Sequence, residues 1–302
     1  MTLQRLRLAK NEDKRLRSGH LWIYSNEIDA AATPLRNFTA GEHVIVENQQ
    51  GKNLGVAYVN PQSLICARLL STDERPIDVN FFKKRIKSAL AMREALFEHP
   101  CYRLIYGDSD LLPGLIVDRF GDHLSVQLNT AGMDAMRDLI IEALVRMLQP
   151  LSILLRNDSP VRKLEGLELE VVTAYGEVPD EVELIENGVR FLAPLAAGQK
   201  TGWFYDQRPN REWLRALAPG KRVLDVFSYV GSFGVQAAVF GASDVWCADI
   251  SETALDMVHK NAELNGVADK LSTVQGDAFT TLKSLKEADE RFDIIIVDPP
   301  AF

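Results

Sequence analysis

Three stretches of the chain carry three different rhythms of apolar and polar positions. Up to about residue 75 the period is two. Arg5-Leu6-Arg7-Leu8 alternates, Val44-Ile45-Val46 follows Gly41, and 54–59 and 64–70 are apolar runs, with Gly51-Lys52 as a turn before them. Residues two apart share one face of a strand, so this stretch predicts a small β-rich unit, closed at Pro76. From about 77 to 190 the rhythm is mixed. Phe82, Ile86, Leu90 and Leu96 recur at helical spacing within 81–97, and Pro100 stops that helix. Runs at 115–117 and 124–128 flank Asp118-Arg119-Phe120-Gly121-Asp122 and predict a hairpin. A second amphipathic helix follows at 133–148, ended by Pro150, with strands expected at 151–155 and 168–172. The mixture predicts an α+β unit.

From about 191 apolar strands alternate with helices. Strands are predicted at 223–227, 244–250, 271–274 and 292–297, and helices at 233–240, 252–265 and 279–285. Gly241 closes the first helix, Ser251 caps the second, and Gly266 lies just past its end. Such alternation predicts a parallel, doubly wound sheet. The expected division is 1–75, 76–190 and 191–302.

Composition narrows the class without naming a function. Of 302 residues 46% are hydrophobic and 25% charged, as in an ordinary globular protein. No apolar run is long enough to cross a bilayer, and the alternating, basic start has no signal-peptide core. The three cysteines, Cys66, Cys101 and Cys247, are far apart and odd in number, which argues against a disulfide framework and fits a reducing cytoplasm. The histidines are as scattered, so no metal is expected. A net charge of −8 is awkward for binding RNA, but it is unevenly spread. Residues 1–20 hold Arg5, Arg7, Lys10, Lys14, Arg15 and Arg17 against Glu12 and Asp13, and Lys83, Lys84, Arg85 and Lys87 form a second basic cluster.

The chemistry is expected at the carboxyl ends of the predicted parallel strands, where ligands bind in such sheets. The first ends in Asp225-Val226-Phe227-Ser228-Tyr229-Val230-Gly231-Ser232-Phe233-Gly234. Its glycines permit a tight turn, but the G-x-G-x-x-G fingerprint is absent, so a dinucleotide is poorly supported. Asp225 before the turn suits a cationic or zwitterionic ligand better than a polyphosphate. Asp249 ends the second strand at the spacing of a ribose-binding acid. The third ends in Gly276-Asp277-Ala278, whose carboxylate can accept from an adenine amino group. The fourth ends in Asp298-Pro299-Pro300-Ala301-Phe302, whose fixed backbone and aromatic ring can hold a planar base. Singly, each acid is an ordinary helix cap or turn former. Four on successive strands point to a site.

These four ends resemble class I S-adenosylmethionine methyltransferases. Together with Gly198-Gln199-Lys200-Thr201-Gly202-Trp203-Phe204-Tyr205-Asp206-Gln207-Arg208, they are similar to the RlmI-like family, bacterial enzymes that methylate carbon 5 of cytosine in large-subunit ribosomal RNA. Ser18-Gly19-His20-Leu21-Trp22-Ile23-Tyr24-Ser25-Asn26-Glu27-Ile28 looks like that family's PUA domain, an RNA-binding β-barrel, and Asp110-Leu111-Leu112-Pro113-Gly114 through Asp118-Arg119 like its central α+β domain. The resemblance covers the whole chain. It implies an α/β, Rossmann-like catalytic domain preceded by a PUA-like barrel and a central domain, with S-adenosylmethionine as cofactor and ribosomal RNA as partner. It also implies that residues 225 to 231, including Phe227, Ser228 and Gly231, hold the methionine part, Asp249 and Ile250 the ribose, and Asp277 and Ala278 the adenine. Lys200 and Arg208 would meet the cofactor carboxylate or the RNA backbone, and Asp298 and Pro299 the methyl group and target base.

One departure is large. Carbon-5 methylation needs a thiolate that adds to carbon 6. Cys247 lies within a predicted strand, Cys66 and Cys101 lie outside the catalytic domain, and the family's nucleophile belongs to a motif beyond the fourth strand. The expectation is therefore a chain that stops partway through its catalytic sheet and cannot methylate by itself. Methylation of another base such as guanine, and an RNA-binding module with a vestigial cofactor fold, remain as alternatives. Oligomeric state is not legible.

Overall fold

The computed structural model describes residues 3–199 and 201–300. They form two compact units. One runs to Pro179 and takes in Gln199 and Thr201; the other holds Asp180–Gly198 and continues from Gly202. No helix among the described residues is long and apolar enough to cross a membrane.

The first unit contains two sheets. Strands β1 (Gln4–Arg7), β2 (Trp22–Ile23), β3 (His43–Glu47), β4 (Asn53–Val59) and β5 (Ala67–Ser71) pair in the order β1-β3-β4-β5-β2, with β1 and β3 parallel. A short helix, α1 (Lys14–Arg17), precedes β2. Leu6, Leu8, Val44, Val46, Ala57 and Val59 fill one core. The pleat turns Tyr58 to the opposite face, into the core of the second sheet, where its hydroxyl donates to Pro113 O at 2.8 Å. That shared strand explains why the two sheets form one unit. Leu64 does not continue β5 as its apolar neighbours suggest: it sits 70% exposed in the preceding turn.

The second sheet has β6 (Cys101–Tyr106), β7 (Leu115–Phe120), β8 (His123–Leu128), β9 (Ser152–Asn157) and β10 (Glu170–Gly176) in the order β10-β9-β8-β7-β6. Helices α2 (Val79–Leu96) and α4 (Arg137–Leu148) supply Phe82, Ile86, Ile140 and Leu144 to its core. The single helix expected at 133–148 is broken at Met136 into α3 (Ala131–Ala135) and α4. Asp118, expected in the hairpin loop, lies within β7 and is fully buried. It accepts from Arg103 Nε and Nη2 at 2.8 and 2.9 Å and from Thr201 Oγ1 at 2.5 Å.

The second unit opens with a hairpin, β11 (Glu181–Glu186) and β12 (Val189–Pro194), turned by Asn187 and Gly188 at φ of 54° and 76°. The expected boundary at 190/191 falls inside this hairpin. Helices α5 (Arg208–Glu212) and α6 (Leu214–Leu217) follow. Next come β13 (Arg222–Val226), α7 (Ser232–Val239), β14 (Asp244–Asp249), α8 (Glu252–Leu264), β15 (Leu271–Gln275), α9 (Ala278–Glu287) and β16 (Ile294–Val297). The four strands are parallel in the order β15-β14-β13-β16. Ser251 Oγ caps α8 by accepting from Ala254 N at 3.2 Å.

Candidate functional site

The turn after β13 is backbone held out of its relaxed shape. Phe227, Tyr229 and Gly231 have φ of 64°, 49° and 78°. Only the glycine adopts that region without cost, and bulky side chains there mark stored strain. Hydrogen bonds hold the turn, among them Ser228 N to Ala248 O at 3.1 Å, Tyr229 N to Asp249 Oδ2 at 2.8 Å, Gly231 N to Ser228 O at 2.8 Å, and Asn261 Nδ2 to Val230 O at 3.0 Å. Ser228 Oγ is buried and has no partner among the described residues. Beyond the turn Gly234 N donates to Asp225 Oδ2 at 2.9 Å, and a methyl on Gly234 would collide with Cys247 Sγ.

The four acids are not level. Asp225 pairs with Cys247 and with Ile296, so Asp249 and Asp298 each lie two residues further along their strands. Asp249 pairs with Gln275, which puts Asp277 two residues beyond it again. The depth decides what each can do. Asp225 is 1% exposed, beneath the turn. Burial pushes its carboxyl up to about 7, the Gly234 N–H opposes this, and the charges of Asp298 and Asp249 add to the rise. It can shape the turn more readily than touch a ligand. Asp249 is half-buried, its Oδ1 taken by Ser251 N at 2.9 Å and its Oδ2 by Tyr229 N. Each oxygen keeps a second acceptor site, so a rigid carboxylate faces the strand ends. Asp277 is exposed and caps α9 by accepting from Thr280 N at 3.0 Å. Asp298, Pro299 and Pro300 are exposed beyond β16.

Two apolar side chains stand open beside the acids: Ile250 at 71% and Phe279 at 74% exposure. Ile250 is an expected site residue. Phe279 is not, although its neighbour Ala278 is. Exposed apolar groups flanking acceptors suit a planar heteroaromatic ring with a donating edge.

The motif around 198–208 is anchored by groups that motif reading misses. Glu186 and Arg211 form a fully buried pair, Nε–Oε1 2.5 Å and Nη2–Oε2 3.0 Å. Glu186 also accepts from Trp203 Nε1 and Gln236 Nε2, each at 3.0 Å, and Arg211 donates to Phe204 O at 2.7 Å. The hairpin, the motif and α7 are thereby joined. Asn261 adds a second tie: besides Val230 it bonds both backbone groups of Leu192. A polar residue on the buried face of α8, among Leu255, Val258 and Ala262, is the signal that could have found it. Arg208 Nε meets Asn187 Oδ1 at 3.3 Å and its carbonyl accepts from Asn187 Nδ2 at 3.1 Å. Lys200, Ala301 and Phe302 lie outside the described residues.

Comparison with known proteins gives the family. Residues 6–72 match the PUA-like domain, and 168–302 match the S-adenosylmethionine-dependent methyltransferase family. Over 98% of its length the chain is 39% identical to ribosomal RNA large subunit methyltransferase I of Aeromonas hydrophila, of which 75% is covered. The chain belongs to the ribosomal RNA large subunit methyltransferase I family. The same enzyme of Erwinia tasmaniensis is 39% identical over 99% of the chain and 76% of the relative, and that of Vibrio cholerae 39% over 98% and 75%. Among solved structures, a SAM-dependent methyltransferase from Streptococcus mutans superposes with TM-score 0.82 at 25% identity, covering 99% of this chain and 77% of that one. A methyltransferase complexed with SAH superposes with TM-score 0.85 at 26% identity and the same coverage. The chain is thus an S-adenosylmethionine-dependent methyltransferase by family. Its residues fit that cofactor: a strained turn with an orphaned hydroxyl, an anchored carboxylate, and open apolar groups beside a second acid.

Proposed function

We propose that this protein methylates large-subunit ribosomal RNA at carbon 5 of a cytosine. The observation that carries the reading is the near-complete alignment with ribosomal RNA large subunit methyltransferases I, from the PUA-like segment to the Asp298-Pro299-Pro300 end. Ribosomal RNA as substrate implies the cytoplasm.

Bound S-adenosylmethionine would supply an electrophilic methyl group on sulfur. In this reading residues 225 to 231 shape the seat of its methionine part, with Ser228 Oγ available there. Asp249 accepts both ribose hydroxyls, Ile250 and Phe279 cover the adenine, and Asp277 accepts from its amino group. Arg208, and Lys200 in the same segment, would neutralise a carboxylate or an RNA phosphate. Asp298 and Pro299 meet the target base, which must be unstacked to reach them.

Asp249→Ala in the full-length protein should therefore weaken S-adenosylhomocysteine by roughly tenfold to a hundredfold, as for a lost charge-assisted bond of about 1.5–3 kcal/mol. Titration calorimetry measures it, and an unchanged affinity would remove Asp249 from the site.

The carbon-5 step needs a thiolate. Cys66 and Cys247 are fully buried and Cys101 is 4% exposed. Burial pushes the Cys66 thiol up to about 12 and that of Cys247 well above its usual value. None of the three can serve as nucleophile where it stands. The chain spans about three quarters of the length of the relatives it matches, and the carbon-5 reading needs a thiol other than these three. The same observation favours a second reading, methylation of another base such as guanine, because ring-nitrogen methylation needs no covalent adduct. Incubating full-length protein with cofactor and unmodified large-subunit RNA, then analysing nucleosides by mass spectrometry, separates them. 5-Methylcytidine is expected. A methylated guanosine would replace the carbon-5 reading, and no methylated nucleoside would overturn both.

A further inference from the structure

We propose that Lys10, Lys14 and the turn at Asn48, Gln49 and Gln50 form a contact site for the phosphate backbone of RNA, and that the arginines of the same segment serve the fold instead. The inference rests on the RNA reading above and adds where on the first unit the RNA lies.

It starts from a subtraction. Six basic residues fall within 1–20, but four are committed to carboxylates. Arg5 and Arg7 both pair with Glu47, at 2.9 and 2.6 Å, and the Glu47 side chain is only 3% exposed. Arg15 pairs with Glu27 at 2.9 Å and lies over the Tyr24 ring, 5.0 Å from its centre. Arg17 pairs with Asp13 at 2.5 Å. A phosphate approaching any of these meets a carboxylate already beside the guanidinium. Lys10 and Lys14 are exposed and have no carboxylate partner among the described residues. They are the two cations of the segment without a carboxylate partner, and Arg5 and Arg7, which share Glu47, leave one further charge unmatched.

Both lysines open on one cavity of about 310 Å³ shared with Asn48, Gln49 and Gln50. Asp13 and Arg17 also border it and cancel each other, leaving two unmatched ammonium groups. The facing turn is stiff: Asn48 Oδ1 accepts from Gln50 N at 3.0 Å and Lys52 N at 2.9 Å, and Asn48 Nδ2 donates to Gln50 Oε1 at 3.2 Å. Gln49 and Gln50 are exposed, so amide donors stand ready beside the two cations. Ammonium groups hold phosphate as point charges, and neighbouring amides bond to phosphate and sugar oxygens. Such contacts fix the register of the RNA without reading its sequence.

The test measures binding of a labelled single-stranded RNA to full-length protein by fluorescence anisotropy across a range of potassium chloride. Removing one cation from a phosphate of a single strand flattens the slope of log affinity against log salt by about 0.7. Lys10→Gln with Lys14→Gln should flatten it by about 1.4, equally for RNAs of different sequence. Both side chains are exposed, so the fold is not at stake. The comparison variant, Lys84→Gln with Lys87→Gln on exposed positions of α2, should leave the slope unchanged. An unchanged slope in the first variant, or flattening only in the second, overturns the proposal and leaves RNA binding intact. Wild-type protein that binds no RNA overturns both this site and the function it rests on.

Discussion

Arg211→Met is expected to cost about 3–5 kcal/mol of stability, the range for breaking a buried ion pair by removing one partner. Arg211 and Glu186 have 1% and 0% side-chain exposure. The guanidinium also lies 5.1 Å from the Trp203 ring centre and 5.4 Å from that of Phe233. Without it, the carboxylate keeps its bonds from Trp203 and Gln236 but loses the charge that offset its desolvation. Chemical denaturation of wild type and variant checks this. Glu186→Met added to Arg211→Met should recover part of the loss, because two apolar chains leave no uncompensated charge. A single variant within about 1 kcal/mol of wild type would mean that the pair is well hydrated in solution.

Asp225→Asn should stabilise the protein above neutral pH and change little near pH 4. The folded protein keeps the Asp225 proton up to about pH 7, whereas the unfolded chain releases it near the ordinary value of 3.8. Between those values the folded state binds the extra proton, so wild-type stability falls as pH rises through the window and is level above it. The full difference approaches about 4 kcal/mol, at about 1.4 kcal/mol for each unit. Asparagine does not ionise and its carbonyl oxygen can still accept from Gly234 N, so the variant escapes that fall. Thermal unfolding at mildly acidic and mildly alkaline pH measures the gap. The same gap at both, or a variant less stable in alkali, would show that Asp225 is ionised in the folded state.

The parallel sheet is legible because its strands hold short runs rich in apolar residues bounded by a glycine, a cap or, after β16, a proline pair, and β13 to β16 lie where those runs are. The hairpin of β11 and β12 was not read, although Asn187-Gly188 between alternating residues is a strong hairpin signal. Glu186 hides it, because a carboxylate takes the inward position that Val182 and Leu184 begin, so the apolar alternation stops after two residues. The break at Met136 was hidden for the opposite reason, since apolar spacing runs straight through it.

At the site, motif spacing located the acids but not their depth. Asp225 and Asp249 look equivalent in sequence, yet pairing puts the first beneath the turn and the second at its rim. Nor could spacing show that Glu186, Arg211, Gln236 and Asn261 hold the turn and the motif, because those ties join residues up to 69 positions apart. Charge counting is equally blind to pairing. Four of the six basic residues at the start of the chain face carboxylates, and only tertiary structure separates them from the two that do not.

Where the cofactor sits is the central question, and photo-crosslinking with methyl-tritiated S-adenosylmethionine answers it most directly. Ultraviolet irradiation of the complex, digestion and peptide mapping should place the label within the strand-end segments 225–234, 249–252 and 277–280. Excess S-adenosylhomocysteine should displace it. Displaceable label confined to residues 1–179, or none on any strand end, would contradict a cofactor site at the carboxyl ends of β13 to β15.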